Sequence, residues 1–416
     1  ELSFSVKDAV LSSVDAERRK KIAPNHSMTH VLNYALRKTL GEGIDQKGSL
    51  VSDEKLRFDF SYPKAMTKQD LERVEAIVND IINKQYTVSN GVIPLSQAKK
   101  IAGLRAVFGE VYPDPVRVLS IGAKIDELTS DPSNEKWKDY SIEFCGGIHL
   151  TNTADAQRFV IVEETAVAKG IRRITAVTRE TARDIEKHSK QLLATSLQLE
   201  EELNQLMNSL SQKNVHVNNN LWKFDDDDRR AIQSLDDKLG SLRQETETST
   251  TSVTLLSQIK EKNDVIVKQL FQLKNQELQS TIRSSVQSIA QEITSSQSSD
   301  SIAVYVLRDL PIENGKISKL ISDEINKIDP NASFVCILPN STVNKVSVFS
   351  SLQPSVLKAR SDFSAPKLLQ QLIDGVSELA SGRCGGKGGF AQGSLQPLSS
   401  SSEYEQLVKN VLRKAR

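Results

Sequence analysis

Between residues 181 and 298 the chain has no proline, and its leucines and isoleucines recur in steps of three and four. Proline removes a backbone donor and collides with the preceding turn, so a stretch this long without one is free to run as uninterrupted helix. Ile185, Leu192, Leu199 and Leu206 stand seven residues apart, with Ser196, Leu203 and Leu210 between them. A second run, Leu256, Ile259, Asn263, Ile266, Leu270 and Leu273, keeps the same alternation. Each pattern lays one apolar stripe along a helix, and such a stripe has to be covered by a partner. Two stripes separated by the polar Asn218–Asp228 predict a long antiparallel helical hairpin over 181–298, which either folds back on itself or dimerises the chain.

That hairpin separates two zones of mixed character. Before it, Leu56–Phe60, Val116–Ile121, Phe159–Val162 and Ile171–Val177 read as strands by apolar runs or alternation. Asn25–Leu40 and Lys68–Asn83 carry helix periods, the second with Thr67 as N-cap, so the zone is α+β. After it, Ile302–Leu307, Ser333–Leu338 and Val346–Phe349 read as strands, and Lys319–Ile328 and Leu368–Leu379 as helices. A glycine-rich segment, Gly382–Gly393, and a basic helix, Tyr404–Arg416, close this small α/β zone. Lys and Arg number 54 against 53 Asp and Glu, so global charge does not drive binding to a polyanion, although a local basic patch remains open. Three cysteines make no disulfide framework and point to a reducing, cytosolic type of compartment. No apolar run reaches the ~18 residues that span a membrane.

Chemistry concentrates in few places. His26 and His30 lie at i and i+4 of a helix pattern, which puts two imidazoles on one face. Cys145-Gly146-Gly147-Ile148-His149 joins a thiolate and a third imidazole around a glycine turn. One sulfur and three ring nitrogens make a donor set suited to a single Zn²⁺ ion rather than Mg²⁺ or Ca²⁺. His188 and His216 sit in polar surroundings and read as surface residues, and Cys336, in an apolar strand, reads as core.

These segments also carry a resemblance. His26–His30, Asp45–Val51 with its Gln46-Lys47-Gly48-Ser49 core, Phe144–His149 and Gly170–Ile174, in this order, resemble the editing domain of alanyl-tRNA synthetases over residues 5 to 180. Threonyl-tRNA synthetase editing domains share the two metal half-motifs, and the Gln-Lys-Gly-Ser segment favours the alanyl type. The hairpin and Gly385-Gly386-Lys387…Ala391-Gln392-Gly393 resemble the carboxy-terminal domain of the same family, with Cys384 where the family often has glycine. No segment resembles the class II catalytic core that uses ATP, and the chain starts without Met. The resemblance therefore implies a carboxy-terminal portion: residues 1–24 a remnant of a preceding β-barrel, 25–180 the zinc-containing editing domain, 181–298 the hairpin, and 299–416 a tRNA-binding domain.

The implied activity is hydrolysis of seryl- or glycyl-tRNA(Ala). An alanine pocket rejects neither glycine nor serine by more than about 10²-fold, so a second site must remove the errors. Thr29 is expected either to recognise the serine hydroxyl or to bond back to its own helix. Gln46 is expected to hold the water or the ester carbonyl, or else to be a turn residue, while Cys145 belongs to both metal and catalytic sets. Arg172 and Arg173 are candidates for acceptor-end phosphates, with one facing the substrate because strand side chains alternate. Lys387 and Gln392 are candidates for tRNA contact. Four protein ligands close a tetrahedral site, so the metal expands to five-coordinate, loses a ligand, or only positions substrate. A free-standing trans-editing protein and a noncatalytic tRNA-binding module with structural zinc are the competing readings. The resemblance places the protein in the cytoplasm or the mitochondrion, with tRNA(Ala) as partner and no membrane.

Overall fold

The computed structural model describes residues 5, 7, 9, 11, 13–107, 110–214, 222–295, 302–308, 310, 316–340, 345–359, 364–376, 380–397 and 409–410. The chain divides into two units, residues 1–202 with 235–267 and residues 203–234 with 268–416.

The first unit opens with α1 (Ala16–Leu40), capped by Asp15, whose carboxylate accepts from the Arg18 N–H. The helix period visible from Asn25 thus begins nine residues earlier, running straight through Pro24. Proline in a helix orphans the carbonyl four residues back. Here the Lys20 carbonyl is taken up by Arg179 Nη1 at 3.0 Å, which is why the helix continues. Next come β1 (Gln46–Val51), β2 (Leu56–Ser61) and α2 (Lys68–Asn83). Thr67 and Asp70 cap α2 reciprocally, side chain to backbone in both directions. Then follow β3 (Val88–Ile93), α3 (Leu95–Ala98), β4 (Val116–Ile121), α4 (Ile125–Ser130), β5 (Ser141–Phe144), β6 (Phe159–Ala168) and β7 (Ile171–Thr178).

Two antiparallel sheets result, one in the order β1-β2-β7-β6 and one in the order β3-β4-β5. The main core forms where α1 and α2 lie on the four-stranded sheet: Met28, Leu32 and Leu36 meet Phe58, Phe60, Val74, Phe159 and Ile174. Each such side chain contributes about 1.5–3 kcal/mol on burial. A second core, with Val118, Leu128, Trp137 and Ile142, backs the three-stranded sheet.

The hairpin expectation needs correction. Three long helices occupy the region, not two: α5 (Arg179–Lys213), α6 (Asp226–Thr248) and α7 (Val253–Ser288). The extra helix buries Ile232, Leu235, Leu239 and Leu242, a stripe interrupted in sequence by Gly240 and surrounded by charge. Within the first unit, α5 is tied to α7 by Ser196 Oγ donating to Asn263 Oδ1 at 2.8 Å, a buried polar pair at the stripe positions. Lys238 of α6 reaches Glu202 of α5 at 2.8 Å.

The second unit adds α8 (Ala290–Ser295), β8 (Ala303–Val306), α9 (Lys316–Ile328), β9 (Phe334–Asn340), β10 (Lys345–Ser351), α10 (Pro354–Ala359), α11 (Ala365–Asp374), β11 (Ala380–Lys387) and β12 (Phe390–Pro397). Its sheet runs β11-β12-β10-β9-β8, with β8 parallel to β9 and the rest antiparallel. Both faces are covered: Val335 and Ile337 turn to α11, while Phe334, Cys336 and Leu338 turn to α9. Cys336 is core, as read. The glycine-rich segment is a β-hairpin, its turn made by Gly388, at φ 65°, and Gly389, where a Cβ would lie 2.5 Å from the Leu352 carbonyl. Of the basic terminal helix only Lys409 and Asn410 fall within the described residues, and His216 lies outside them. Among the described residues no helix is long and apolar enough to cross a membrane.

Candidate metal centre

β5 packs against α1, and Ser141 Oγ at its start ties the two by donating to the His30 carbonyl at 3.2 Å. This contact carries the loop after β5 across the helix face that holds His26 and His30. His26, His30, Cys145 and His149 converge there, one donor atom from each lying within 4.8 Å of every other. Cys145 Sγ stands 3.6 Å from His26 Nε2 and 3.3 Å from His149 Nε2. Tetrahedral zinc with bonds of about 2.0–2.3 Å spaces its ligands by about 3.3–3.8 Å. The pair separations suit that ion.

The outward ring nitrogens decide the tautomers. His26 Nδ1 meets the Ile148 carbonyl at 3.2 Å and His30 Nδ1 meets Glu143 Oε2 at 2.5 Å, and neither oxygen can donate. Both Nδ1 atoms therefore carry a proton, so Nε2 is the nitrogen each ring would offer to an ion. His149 Nδ1 lies 3.3 Å from Ser27 Oγ, which also accepts from the Leu150 N–H. The His30 Nε2 atom is buried without a protein partner. A buried ring nitrogen facing a thiolate and two further imidazoles is what a cation site requires.

Electrostatics agree. Burial by itself would raise the Cys145 thiol, but the imidazoles of His149, His26 and His30 around it hold it down to about 3. Burial by itself would lower His30, but the Glu143 carboxylate and the Cys145 thiolate raise it to about 10. Burial lowers His149. Two anions that retain a proton on a buried ring also favour a divalent cation at the same point.

The glycine turn has a steric reason. A Cβ on Gly147 would sit 2.1 Å from His26 Cε1, whereas Gly146 has nothing within 4 Å. Arg117 Nη1 holds the turn from beneath by donating to the Cys145 and Gly147 carbonyls.

Other sequence-predicted residues fall differently. Thr29 is buried, and its hydroxyl donates to the Asn25 carbonyl at 2.8 Å, the back-bonding alternative. Gln46 begins β1, donates to Ser49 Oγ at 3.1 Å, and lines a cavity with Asn33, Arg37, Arg105 and Glu143. Both phosphate candidates are already paired. Arg173 holds Asp59 bidentately, at 2.7 Å for each bond, and Arg172 meets Glu164 at 2.5 Å. Those carboxylates stand on the neighbouring strands β2 and β6, so either guanidinium reaches a phosphate only by giving up its partner. Lys387 and Gln392 are exposed on the β11–β12 hairpin. Sequence reasoning missed Glu143 and Ser27, which hydrogen-bond the candidate ligands His30 and His149, and Asn33, which holds Glu143. Ser141, Glu143 and Cys145 share one strand face by alternation, and that period was the available signal.

The family described as "Threonyl and Alanyl tRNA synthetase second additional domain" matches residues 116–175, which include Cys145 and His149. The chain is related to the alanine–tRNA ligases. It is 37% identical over 396 residues to the cytoplasmic alanine–tRNA ligase of Dictyostelium discoideum, a match covering 94% of this chain and 38% of that one. It is 53% identical over 184 residues to the alanine–tRNA ligase of Candida albicans, covering 44% of this chain and 19% of that one. The mitochondrial alanine–tRNA ligase of Saccharomyces cerevisiae is 53% identical over 191 residues, covering 46% and 19%. The chain thus spans between a fifth and two fifths of the relatives it matches. The higher identities extend over fewer than 200 residues, and the Dictyostelium match continues across nearly the whole chain.

Proposed function

We propose that this chain is the editing part of an alanine–tRNA ligase and hydrolyses the ester of seryl- or glycyl-tRNA(Ala). The observation that carries the reading is the convergence of three Nε2 atoms and one Sγ, two of the rings fixed by oxygens that only accept, in a chain related to alanine–tRNA ligases. The editing domain runs to residue 180 and starts at Ala16 rather than 25, because residues 16–24, expected as the end of a β-barrel remnant, are the first turns of α1; residues 181–298 are a helical connector, and 299–416 a tRNA-binding domain that offers Lys387 and Gln392 from its exposed hairpin. The relatives carry cytoplasmic and mitochondrial names, and either compartment suits this chain.

His26, His30, Cys145 and His149 would hold one Zn²⁺, which when bound polarises an ester carbonyl or lowers the pKa of a water. Glu143 keeps the proton on His30 Nδ1, and Asn33 Nδ2, donating to Glu143 Oε1 at 2.8 Å, keeps that carboxylate in place. Thr29 has committed its proton to Asn25, so recognition of serine through it requires the substrate hydroxyl to donate. Alanine has no such donor. Gln46 retains its amide oxygen and a second N–H for the water or the carbonyl.

One observation favours a second reading, a tRNA-binding module with structural zinc: all four donors come from protein, which closes a tetrahedral site. Incubating the zinc-loaded chain with seryl-tRNA(Ala) and alanyl-tRNA(Ala) separates the two. We expect the seryl ester to decay faster than in buffer, the alanyl ester to persist, and Cys145→Ala to abolish the difference. A seryl ester that decays at the buffer rate despite full zinc occupancy rejects the hydrolase.

A further inference from the structure

Beside the metal centre lies a cavity lined by Asn33, Arg37, Gln46, Arg105 and Glu143. Arg37 is the anomaly in it. Its side chain is only 6% exposed, its Nε has no hydrogen-bond partner among the described residues, and its ion-pair partner among them is Glu42, with Oε2 3.5 Å from Nη1. Burial lowers its affinity for a proton, against the opposing pull of Glu143 and Tyr34. Arg105, 35% exposed, enters the same cavity and pairs with the same Glu42. Glu42 is 69% exposed on the turn after α1, so two guanidiniums share one solvent-side carboxylate. Glu143 also acts on both guanidiniums through its charge, but its oxygens are hydrogen-bonded to His30 and Asn33 and it forms no ion pair with either arginine among the described residues. Asp45, also at the rim, stands 3.8 Å from Lys47 Nζ and is mostly exposed.

We infer that Arg37 and Arg105 form a seat for a phosphodiester, the one joining the last two nucleotides of the acceptor end, with Glu42 as the counter-ion that the phosphate displaces. The inference rests on the editing reading for the identity of the RNA. The choice of anion follows from chemistry. In an aminoacyl ester the amino acid's own carboxylate is consumed and its amine is positive. The nearest negative charge the molecule offers is therefore the terminal internucleotide phosphate. Two planar forks approaching one cavity match phosphate oxygens in the bidentate manner that an ammonium cannot. Glu143 links the seat to the ester site, touching His30 on one side and lining the cavity on the other.

The test uses the full chain and an acceptor-stem minihelix of tRNA(Ala) with an unesterified 3′ end, titrated by fluorescence anisotropy at several salt concentrations. Arg105→Gln should weaken binding about tenfold and reduce the salt slope by about one. Glu42→Gln should tighten it about threefold, since it removes the competing carboxylate. A methylphosphonate at the terminal linkage should cost wild type about as much as Arg105→Gln does, and should cost that variant nothing more. Equal affinities for wild type, Arg105→Gln and Glu42→Gln overturn the inference, as does weaker binding by Glu42→Gln. Binding of inorganic phosphate that depends on Arg105, with RNA binding that does not, also overturns it in favour of a small-anion site. Because the minihelix carries no ester, these results stand or fall separately from hydrolysis.

Discussion

Replacing Gly147 by alanine should dismantle the metal centre, while the same change at Gly146 should leave it intact. The added Cβ at 147 would sit 2.1 Å from His26 Cε1 and 2.8 Å from its Nδ1, about 1.3 Å short of the 3.4 Å at which ordinary contact begins. Metal–ligand distances tolerate only about 0.2 Å. Either the His26 ring swings out, losing the Ile148 carbonyl with it, or the turn lifts and Arg117 loses the Cys145 and Gly147 carbonyls. Both routes remove at least one ligand of four. Displacing an orienting residue alone costs 10–100-fold in metal affinity, so a displaced ligand should cost about 100-fold or more. Neither glycine has a positive φ, so alanine brings no backbone strain at either position. Zinc affinity measured by chelator competition, with bound metal counted by mass spectrometry, reads the effect directly. A Gly147→Ala protein that holds zinc within about threefold of wild type would refute the reasoning, as would an equal loss in Gly146→Ala.

Two further outcomes follow from the same geometry. Glu143 accepts on both oxygens, from His30 Nδ1 and Asn33 Nδ2, and an amide can accept on only one, so Glu143→Gln should lower zinc affinity 10–100-fold in the same competition assay; unchanged affinity would remove His30 from the ligand set. The Arg173 guanidinium holds the Asp59 carboxyl below its usual range, so the stability this pair contributes is present above the unfolded value of about 3.9 and is lost as pH falls through the folded one. Asp59→Asn should lower Tm at pH 7, and the gap from wild type should close on acidification below about pH 4. A gap that persists in acid would show that the pair is not its source.

What the sequence disclosed, and what it hid, follows from the range of the interactions involved. α2 was legible to its ends because its cap is local: Thr67 and Asp70 satisfy each other three residues apart. β2, β4 and β7 were legible because each carries a short apolar or alternating run. The start of α1 was not, because the Lys20 carbonyl that Pro24 leaves without its helical donor is taken up by Arg179, a residue more than 150 positions away. α6 was hidden by its own composition, since four buried apolar residues must hold their helix among many charged ones. The arginines of β7 were read by residue type, yet what they do is set by Asp59 and Glu164 on the adjacent strands, and only register discloses that. The four donors were legible for a different reason. Soft and imidazole donors are scarce in this chain, so two local half-motifs suffice to nominate them.

The same logic extends to the part of the site that went unread. α1 is buried nearly all round from Ala23 to Arg37, with Met28, Val31, Leu32, Ala35 and Leu36 in the core. In such a helix apolar periodicity carries little information, because apolar residues are welcome on most faces. The informative residues are the polar ones, which burial penalises unless they have work to do. His26, His30, Asn33 and Arg37 fall at spacings of four, three and four, a single helical face. That stripe runs from the metal donors, through the residue that steadies Glu143, to the buried guanidinium of the adjoining cavity. These four polar residues share one face of the buried part of α1. They tie the phosphate seat and the ion to one rigid element, so a change that rotates α1 should disturb both together.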